Sequence, residues 1–453
     1  MVIFQRDNPK MKNNTLVNGY YINSISDTEI ELETKLVENS LGKVKVKMPK
    51  LNSETLECVL SNLRLSKESL ASKTDKELLN LFNTNLGLWL DKNYGPRKCA
   101  QDILPITLGY SPQMVETTLN GIFSILKKDL NDLKKTWDSK ELAVVVYPNI
   151  PGPQVITVLH SLFNRTPIFC KSPYEEPIFS ALYAKSLEDV DKQLAKSVSA
   201  VPWEGGDKEN ASLEKILYSG LGKRDAVVVF GSSKTASKID SLKNKESELI
   251  QYSKGIGIII IGKEYLSKEN IDTTANNCAF NISMYNRNAC FSPQGVLAER
   301  GGEFAPEDFA SLLSIKMTQI AQHILPVGDF SGDDYARFAQ THRSAELKRI
   351  SGFVDYFSVT DENKRIVGGV IYQKKGNFEL PRSGQRVVTV TPFKEISDVK
   401  TILSEYIENI HTIGLGMDNK KYKKYDLLFK ESGVRVSPLN DMLKISIRDY
   451  KFV

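Results

Sequence analysis

Cys290 stands in a short polar stretch, Asn286-Arg-Asn-Ala-Cys-Phe-Ser-Pro-Gln-Gly295, where Pro293 interrupts the backbone and the flanking segments are apolar. A thiol carried on a turn, rather than packed inside a helix or strand, has the local setting of a nucleophile. Three further groups fall where an apolar run gives way to a helical pattern. Asn149 lies in Tyr147-Pro-Asn-Ile-Pro-Gly-Pro153, where its amide can point into a crevice. Lys171 follows the run Pro167 to Cys170. Gly231-Ser232-Ser233 follows Ala226 to Phe230 and opens a helix, whose free N–H groups and dipole favour a phosphate.

Each residue has a plainer reading. Asn149 alone is a turn former, Lys171 a solvated cation, the serines a helix cap and Cys290 a structural thiol. Their order along the chain is amide, cation, phosphate turn, thiol. It converges on one crevice built to hold a dinucleotide, and a cysteine beside a nicotinamide points to acyl transfer followed by hydride transfer.

The elements that must position these groups alternate. Leu142 to Tyr147, Pro167 to Cys170, Val198 to Val201, Ala226 to Phe230 and Ile256 to Ile261 read as buried strands. Helices at Gln154 to Phe163, Glu176 to Lys196 and Lys234 to Leu242 separate them, which predicts an α/β fold with a largely parallel sheet. Ligands in such sheets bind outside the carboxyl ends of the strands.

Residues 1–50 read as a small β region, with pieces at Gly19 to Ile25, Glu29 to Leu36 and Gly42 to Met48. Residues 51–264 then hold a helical segment to Trp137 and the dinucleotide-binding domain. The clearest helix opens at Ser111-Pro112, an N-cap followed by a first-turn proline. Residues 265–417 form a catalytic domain with helices at Pro306 to His323 and Ser397 to His411 and strands at Ile366 to Tyr372 and Gln385 to Pro392. The Lys/Tyr-rich tail 418–453 returns to the cofactor domain or to a subunit interface.

Composition narrows the class. The 453 residues are 41% hydrophobic and 25% charged, ordinary for a soluble globular enzyme, and a net charge of +5 is too mild for a dedicated nucleic-acid binder. Cys58, Cys99, Cys170, Cys278 and Cys290 are widely spaced and form no CxxC pair. His160, His323, His342 and His411 form no metal-spaced pair, so neither a disulfide framework nor a metal site is expected. The polar start from Met1 to Asn14 and the short apolar runs predict a cytoplasmic protein without a membrane span.

The order of segments resembles the aldehyde dehydrogenase superfamily, and within it the long-chain acyl-CoA reductase (LuxC-type) family. Five stretches carry the resemblance: Leu104-Pro-Ile-Thr-Leu-Gly-Tyr-Ser-Pro112, Pro148-Asn-Ile-Pro-Gly152, Lys171-Ser172, Pro202-Trp-Glu-Gly-Gly-Asp207 and Ala289-Cys-Phe-Ser-Pro-Gln294. The Cys-x-Ser-Pro-Gln and Trp-x-Gly-Gly-Asp pieces are specific to that branch.

The resemblance implies two Rossmann-like α/β lobes, one binding nucleotide on a parallel sheet and one catalytic. It implies that Cys290 accepts the acyl group and that Asn149, with the Cys290 backbone N–H, forms the oxyanion hole. Lys171 and Ser172 would hold the adenosine ribose, and Gly231, Ser232 and Ser233 the pyrophosphate. Hydrolytic members of the superfamily carry a carboxylate about 34 residues before the cysteine, and here that stretch reads Ser253-Lys-Gly-Ile-Gly-Ile258. Without a base to activate water, reduction of a thioester is favoured over aldehyde oxidation.

Members that prefer NAD often carry a Glu three residues after the lysine. Here that position is Tyr174, with Glu175 next, which implies NADPH. A long-chain acyl-CoA, or an acyl-carrier or acyl-protein synthetase subunit, is the implied donor, and a homo-oligomer the implied assembly. The alternatives are an acylating aldehyde dehydrogenase for short or aromatic acyl groups and an inactive scaffold for a partner subunit. The nicotinamide-ribose segment of the superfamily is not readable around Arg386 to Pro392, and the carboxyl-terminal signature of the branch is eroded.

Overall fold

The structure, a computed structural model, describes residues 15–22, 30–135, 138–252, 255–329, 331–381, 385–444 and 446–449. Trp137, Ser253, Lys254 and the ends of the first β piece and of the tail, at 23–25 and 450–453, lie outside the described residues. The chain divides into two compact units, one of residues up to 252 together with 446–449, the other of residues 255–444.

In the first unit, strands β1 (Thr15–Asn18), β2 (Leu32–Asn39) and β3 (Gly42–Pro49) form a small sheet in the order β1-β3-β2. Four helices follow, Ser53–Ala71, Asp75–Leu90, Gly95–Leu108 and Pro112–Lys128. Ser111 caps the fourth by accepting from the Met114 N–H at 3.3 Å, and Leu119, Phe123 and Leu126 are buried along one stripe.

Strands β4 (Leu142–Val146), β5 (Ile168–Ser172), β6 (Val198–Pro202), β7 (Asp225–Phe230) and β8 (Glu248–Tyr252) pair in parallel in the order β6-β5-β4-β7-β8. β4 to β7 are buried throughout, which is why β4 and residues 226–230 of β7 read as unbroken apolar runs. Val144, Val146, Phe169, Val227 and Val229 share one core with Leu56, Val59 and Leu63 of the first helix. The chain leaves β4 to one side for β5 and β6 and returns on its other side as β7, so the topological switch falls between β4 and β7.

The second unit holds β9 (Ile256–Ile261), β10 (Pro293–Glu299), β11 (Val354–Thr360), β12 (Ile366–Gln373), β13 (Arg386–Phe393), β14 (Ile410–Gly416) and β15 (Arg435–Pro438). Their order is β11-β12-β13-β10-β9-β14-β15, parallel except for the β11–β12 pair. Helices Ile271–Ser283 and Pro306–His323 pack on one another in this unit.

Several features depart from the sequence expectation, among them β1, which lies at Thr15–Asn18, ahead of the piece expected from Gly19. The apolar run of β9 predicts a strand continuing the first series, but it pairs with β10 and β14 in the second sheet. A buried run announces a strand and does not say which sheet takes it. The helix predicted to His411 ends at Leu403, and His411 lies in β14, which opens at Ile410, because Ile410 and Ile413 belong to a buried strand and not to a helical stripe. The tail to residue 444 is a helix, Asn419–Lys430, and the edge strand β15, both in the second unit. Beyond it, the Ser446 hydroxyl donates to Asp129 at 2.6 Å, and His160 Nε2 lies 2.9 Å from the Ile447 carbonyl, within the first unit.

Among the described residues no helix is long and apolar enough to cross a membrane, and no cluster of His, Cys, Asp and Glu could hold a metal ion.

Candidate active site

Asn149, Lys171, Ser172, Gly231, Ser232 and Ser233 all lie at or just beyond the carboxyl ends of β4, β5 and β7, at or next to the switch point. Asn149 is exposed on the loop that follows β4. Gln154, almost fully buried, ties this loop down. Its Oε1 accepts from the Gly152 N–H at 3.0 Å and its Nε2 donates to the Ile150 carbonyl at 3.2 Å. Gly152 takes φ +130°, a left-handed value that a side chain would resist. Nothing in the sequence singled out Gln154.

Ser232 caps helix Ser233–Leu242, its hydroxyl accepting from the Thr235 N–H at 3.2 Å, while Ser233 is exposed at the first helical position. Ser232 thus serves as a helix cap, and residues 232–235 at the helix start are exposed. A Cβ on Gly231 would meet only ordinary contacts of 3.5 Å or more, so the fold itself does not require glycine there.

Lys171 is 7% exposed, and its Nζ donates to the Trp203 carbonyl at 2.6 Å. Burial lowers its ammonium to about 8, against the attraction of Glu214 and then Glu204. Ser172, next along β5, is fully buried. Tyr174 carries the Lys35 ammonium 3.7 Å from its ring centre, and exposed Glu175 pairs with Lys35 at 3.4 Å. Glu176 is buried just ahead of helix Ile178–Ser186, Oε1 accepting from the Ile178 and Phe179 N–H groups, and burial raises it to about 7. The carboxylate beside Lys171 comes instead from Glu214, in helix Ala211–Ser219, which the sequence did not reveal.

In the second unit, Cys290 sits on a tight turn closed by the Ser292 N–H donating to the Ala289 carbonyl at 2.9 Å. The turn precedes β10, so the thiol stands at the amino edge of a parallel sheet, opposite to the carboxyl-end rule that places the other candidates. The Cys290 side chain reaches solvent. Its surroundings are still dense enough that desolvation pushes the thiol up to about 11, against hydrogen bonding from the N–H groups of Cys290 and Phe291. Cys170 and Cys278 are buried, and burial raises both. Cys58 is exposed as well, on helix Ser53–Ala71, so exposure alone does not distinguish Cys290.

Two devices missed in the sequence hold this turn. Tyr285, Asn286 and Arg287 are left-handed in succession, with φ of 58°, 47° and 68°, each costing about 1–3 kcal/mol of backbone strain. Two buried guanidiniums brace them. Arg386 Nε donates to Asn286 Oδ1 at 3.0 Å, and Arg287 donates to the Val387 carbonyl and to the Pro381 carbonyl, the latter at 3.0 Å. Burial lowers both guanidiniums to about 9.

The second device is Gly257 on β9, whose N–H donates to the Ser292 carbonyl at 3.0 Å. A Cβ there would lie 2.3 Å from the Phe291 carbonyl oxygen and 2.7 Å from Ser292 backbone atoms. Gly257→Ala should therefore displace the turn, lowering stability by about 1–3 kcal/mol. Acylation of Cys290 should slow in protein that is still folded at the assay temperature. Parent-like melting and acylation together would show that the turn yields without consequence. Of the stretch Ser253 to Ile258 that the resemblance aligns with the hydrolytic carboxylate, the described residues are 255–258, at the start of β9, none of them acidic.

A family model described as acyl-CoA reductase (LuxC) matches residues 70–445. The chain is 23% identical over 431 residues to the long-chain acyl-protein thioester reductase of Vibrio harveyi, covering 89% of this chain and 84% of that one. It is 22% identical over 438 residues to the protein of the same name from Photobacterium phosphoreum, covering 90% and 83%. Among solved structures, a salicylaldehyde dehydrogenase from Pseudomonas putida G7 superimposes with a TM-score of 0.70 at 10% identity, over 95% of this chain and 91% of that one. A benzaldehyde dehydrogenase from Corynebacterium glutamicum gives 0.68 at 11%, over 96% and 94%. At such identities the structural likeness establishes the aldehyde dehydrogenase fold alone.

Proposed function

The chain belongs to the acyl-CoA reductase (LuxC) family, and from that premise we propose that it reduces long-chain fatty acyl thioesters to fatty aldehydes with NADPH, through an acyl-cysteine at Cys290. The observation that carries the mechanism is a solvent-reaching thiol on a turn that two buried arginines and a close-packed glycine hold in place. Such reinforcement suits a nucleophile that must be aimed.

The Cys290 thiolate attacks the thioester carbonyl and expels the donor thiolate, which takes up the proton that Cys290 has lost. The desolvated Cys290 thiolate is the more basic of the two thiolates, so the donor thiolate is the better leaving group and its expulsion needs no general acid. When bound, the dihydronicotinamide supplies hydride to the acyl carbonyl. The resulting thiohemiacetal oxyanion collapses, releasing the aldehyde and regenerating the Cys290 thiolate. Asn149 and the Cys290 N–H would steady both oxyanions, at roughly 3–4 kcal/mol per donor.

The first unit supports a nucleotide in this role. Lys171 with Ser172 would hold the ribose end, and the exposed helix start at Gly231, Ser232 and Ser233 the pyrophosphate. A glycine at 231 that the fold does not need is one whose missing Cβ leaves room for a ligand. Tyr174 in place of a ribose-binding carboxylate, and Glu175 engaged by Lys35, favour NADPH over NADH. The names of both relatives, reductases of acyl-protein thioesters, support an acyl-protein donor beside acyl-CoA, and an acyl-protein synthetase subunit is the carrier proposed.

The test is oxidation of NADPH by the purified protein with tetradecanoyl-CoA, beside NADH and acetyl-CoA. Turnover with the long chain and a trapped C14 aldehyde is the expected result. Equal turnover with acetyl-CoA would shift the reading to a short-chain acylating dehydrogenase, and acylation of Cys290 without nucleotide oxidation would overturn the reductive step.

A further inference from the structure

The turn Gly205-Gly206, between β6 and helix Ala211–Ser219, is bracketed by two lysines with one carboxylate between them. A Cβ built on Gly205 lies 3.5 Å from both Lys171 Nζ and Glu214 Oε1, and one on Gly206 lies 3.3 Å from Lys238 Nζ. Gly206 takes φ +84°, and its N–H donates to Glu214 Oε1 at 3.0 Å. Lys238, reaching over from helix Ser233–Leu242, donates to Glu214 Oε2 at 2.8 Å. Both oxygens of a nearly buried carboxylate are thus engaged, one by the backbone and one by a lysine whose side chain is 48% exposed.

A carboxylate beside the ribose-binding lysine discriminates nucleotides by charge. Left free, it accepts hydrogen bonds from ribose hydroxyls and repels a 2′-phosphate. Held by Lys238, its charge is offset, and the turn presents two ammonium groups where a dianionic phosphate would need them. The carboxylates around Lys171 are Glu214 and Glu204, and Glu204 is exposed.

We propose that Lys238 is the residue by which this chain selects a nucleotide bearing a 2′-phosphate, acting both as a direct cation and by masking Glu214. The proposal rests on the cofactor reading above and deepens it.

The test is binding of NADPH and NADH to the whole protein, followed by fluorescence of the dihydronicotinamide, so that no turnover is needed. Lys238→Ala should weaken NADPH about tenfold or more and leave NADH within about twofold, with Lys238→Arg restoring most of the loss. In the Lys238→Ala background, Glu214→Gln should recover part of the NADPH affinity by removing the unmasked charge. An equal change for both nucleotides, or no change for either, would overturn the proposal. Lys171→Ala separates that outcome from failure of the site itself. If it weakens both nucleotides while Lys238→Ala alters neither, only the role of Lys238 falls. If Lys171→Ala alters neither, the cofactor does not bind at this edge of the sheet and both readings fall.

Discussion

Cys290→Ser should abolish acyl transfer from a long-chain thioester, a loss on the order of 10⁴-fold or more, while nucleotide binding stays within about twofold of the parent. The cause is the nucleophile itself, since a serine hydroxyl is far less acidic and far less nucleophilic toward a thioester than a thiol in the same turn. Desolvation holds the Cys290 thiol above its ordinary range, at about 11. Below that value the thiolate is the minority form, so single-turnover acylation of the parent should rise about tenfold per pH unit between pH 7 and 9. A flat profile would mean that bound substrate, and not the free thiol, sets the reactive form. Cys58 is also exposed, and a generic alkylating reagent will modify both thiols. Acyl exchange should discriminate between them, because Cys58 lies on a helix face with no nearby oxyanion donors proposed. Acyl label retained in Cys290→Ser would remove Cys290 from the mechanism.

What local pattern encodes was legible, and what topology brings together was not. Residues 142–146, 168–170 and 226–230 are apolar at every position because both faces of the sheet are covered, and that leaves a plain trace in the sequence. Ser111-Pro112 marks a helix start because cap and first turn have separate chemical needs that two adjacent residues meet. Cys290 was legible for the same reason, as a polar turn between apolar elements.

The partners of these residues carry no such mark. Arg386 reaches Asn286 from one hundred positions away, and Lys171, Glu214 and Lys238, from a strand and two helices, come together only around the turn Gly205-Gly206. A buried arginine looks like any surface arginine until its neighbours are known. Gly257 is intermediate. A glycine inside the run Ile256–Ile261 signals a close backbone approach, but not that the nucleophile turn is what approaches. In the Lys/Tyr-rich tail, Lys421 pairs with Glu264 at 2.7 Å and with Glu299 at 2.5 Å, partners that its own stretch of sequence does not announce.

Asn149→Ala should slow both half-reactions, acylation and reduction, by about 10²- to 10³-fold each, because one amide is assigned to two successive oxyanions. The substitution is a clean probe. The loop is fastened by Gln154 through Gly152 and Ile150, and the Asn149 side chain is exposed, so removing the amide should leave the backbone in place. NADPH affinity should therefore stay within about twofold of the parent, and the melting temperature should not move. Asn149→Asp should be worse than alanine, since a carboxylate would face the developing negative charge and add repulsion to the lost donor. Gln154→Ala supplies the contrast. It frees the loop rather than the amide, so it should lower stability together with acylation. A variant Asn149→Ala that acylates at the parent rate would leave the oxyanion to the backbone alone, and one that slows only the reductive half would assign Asn149 to hydride transfer instead.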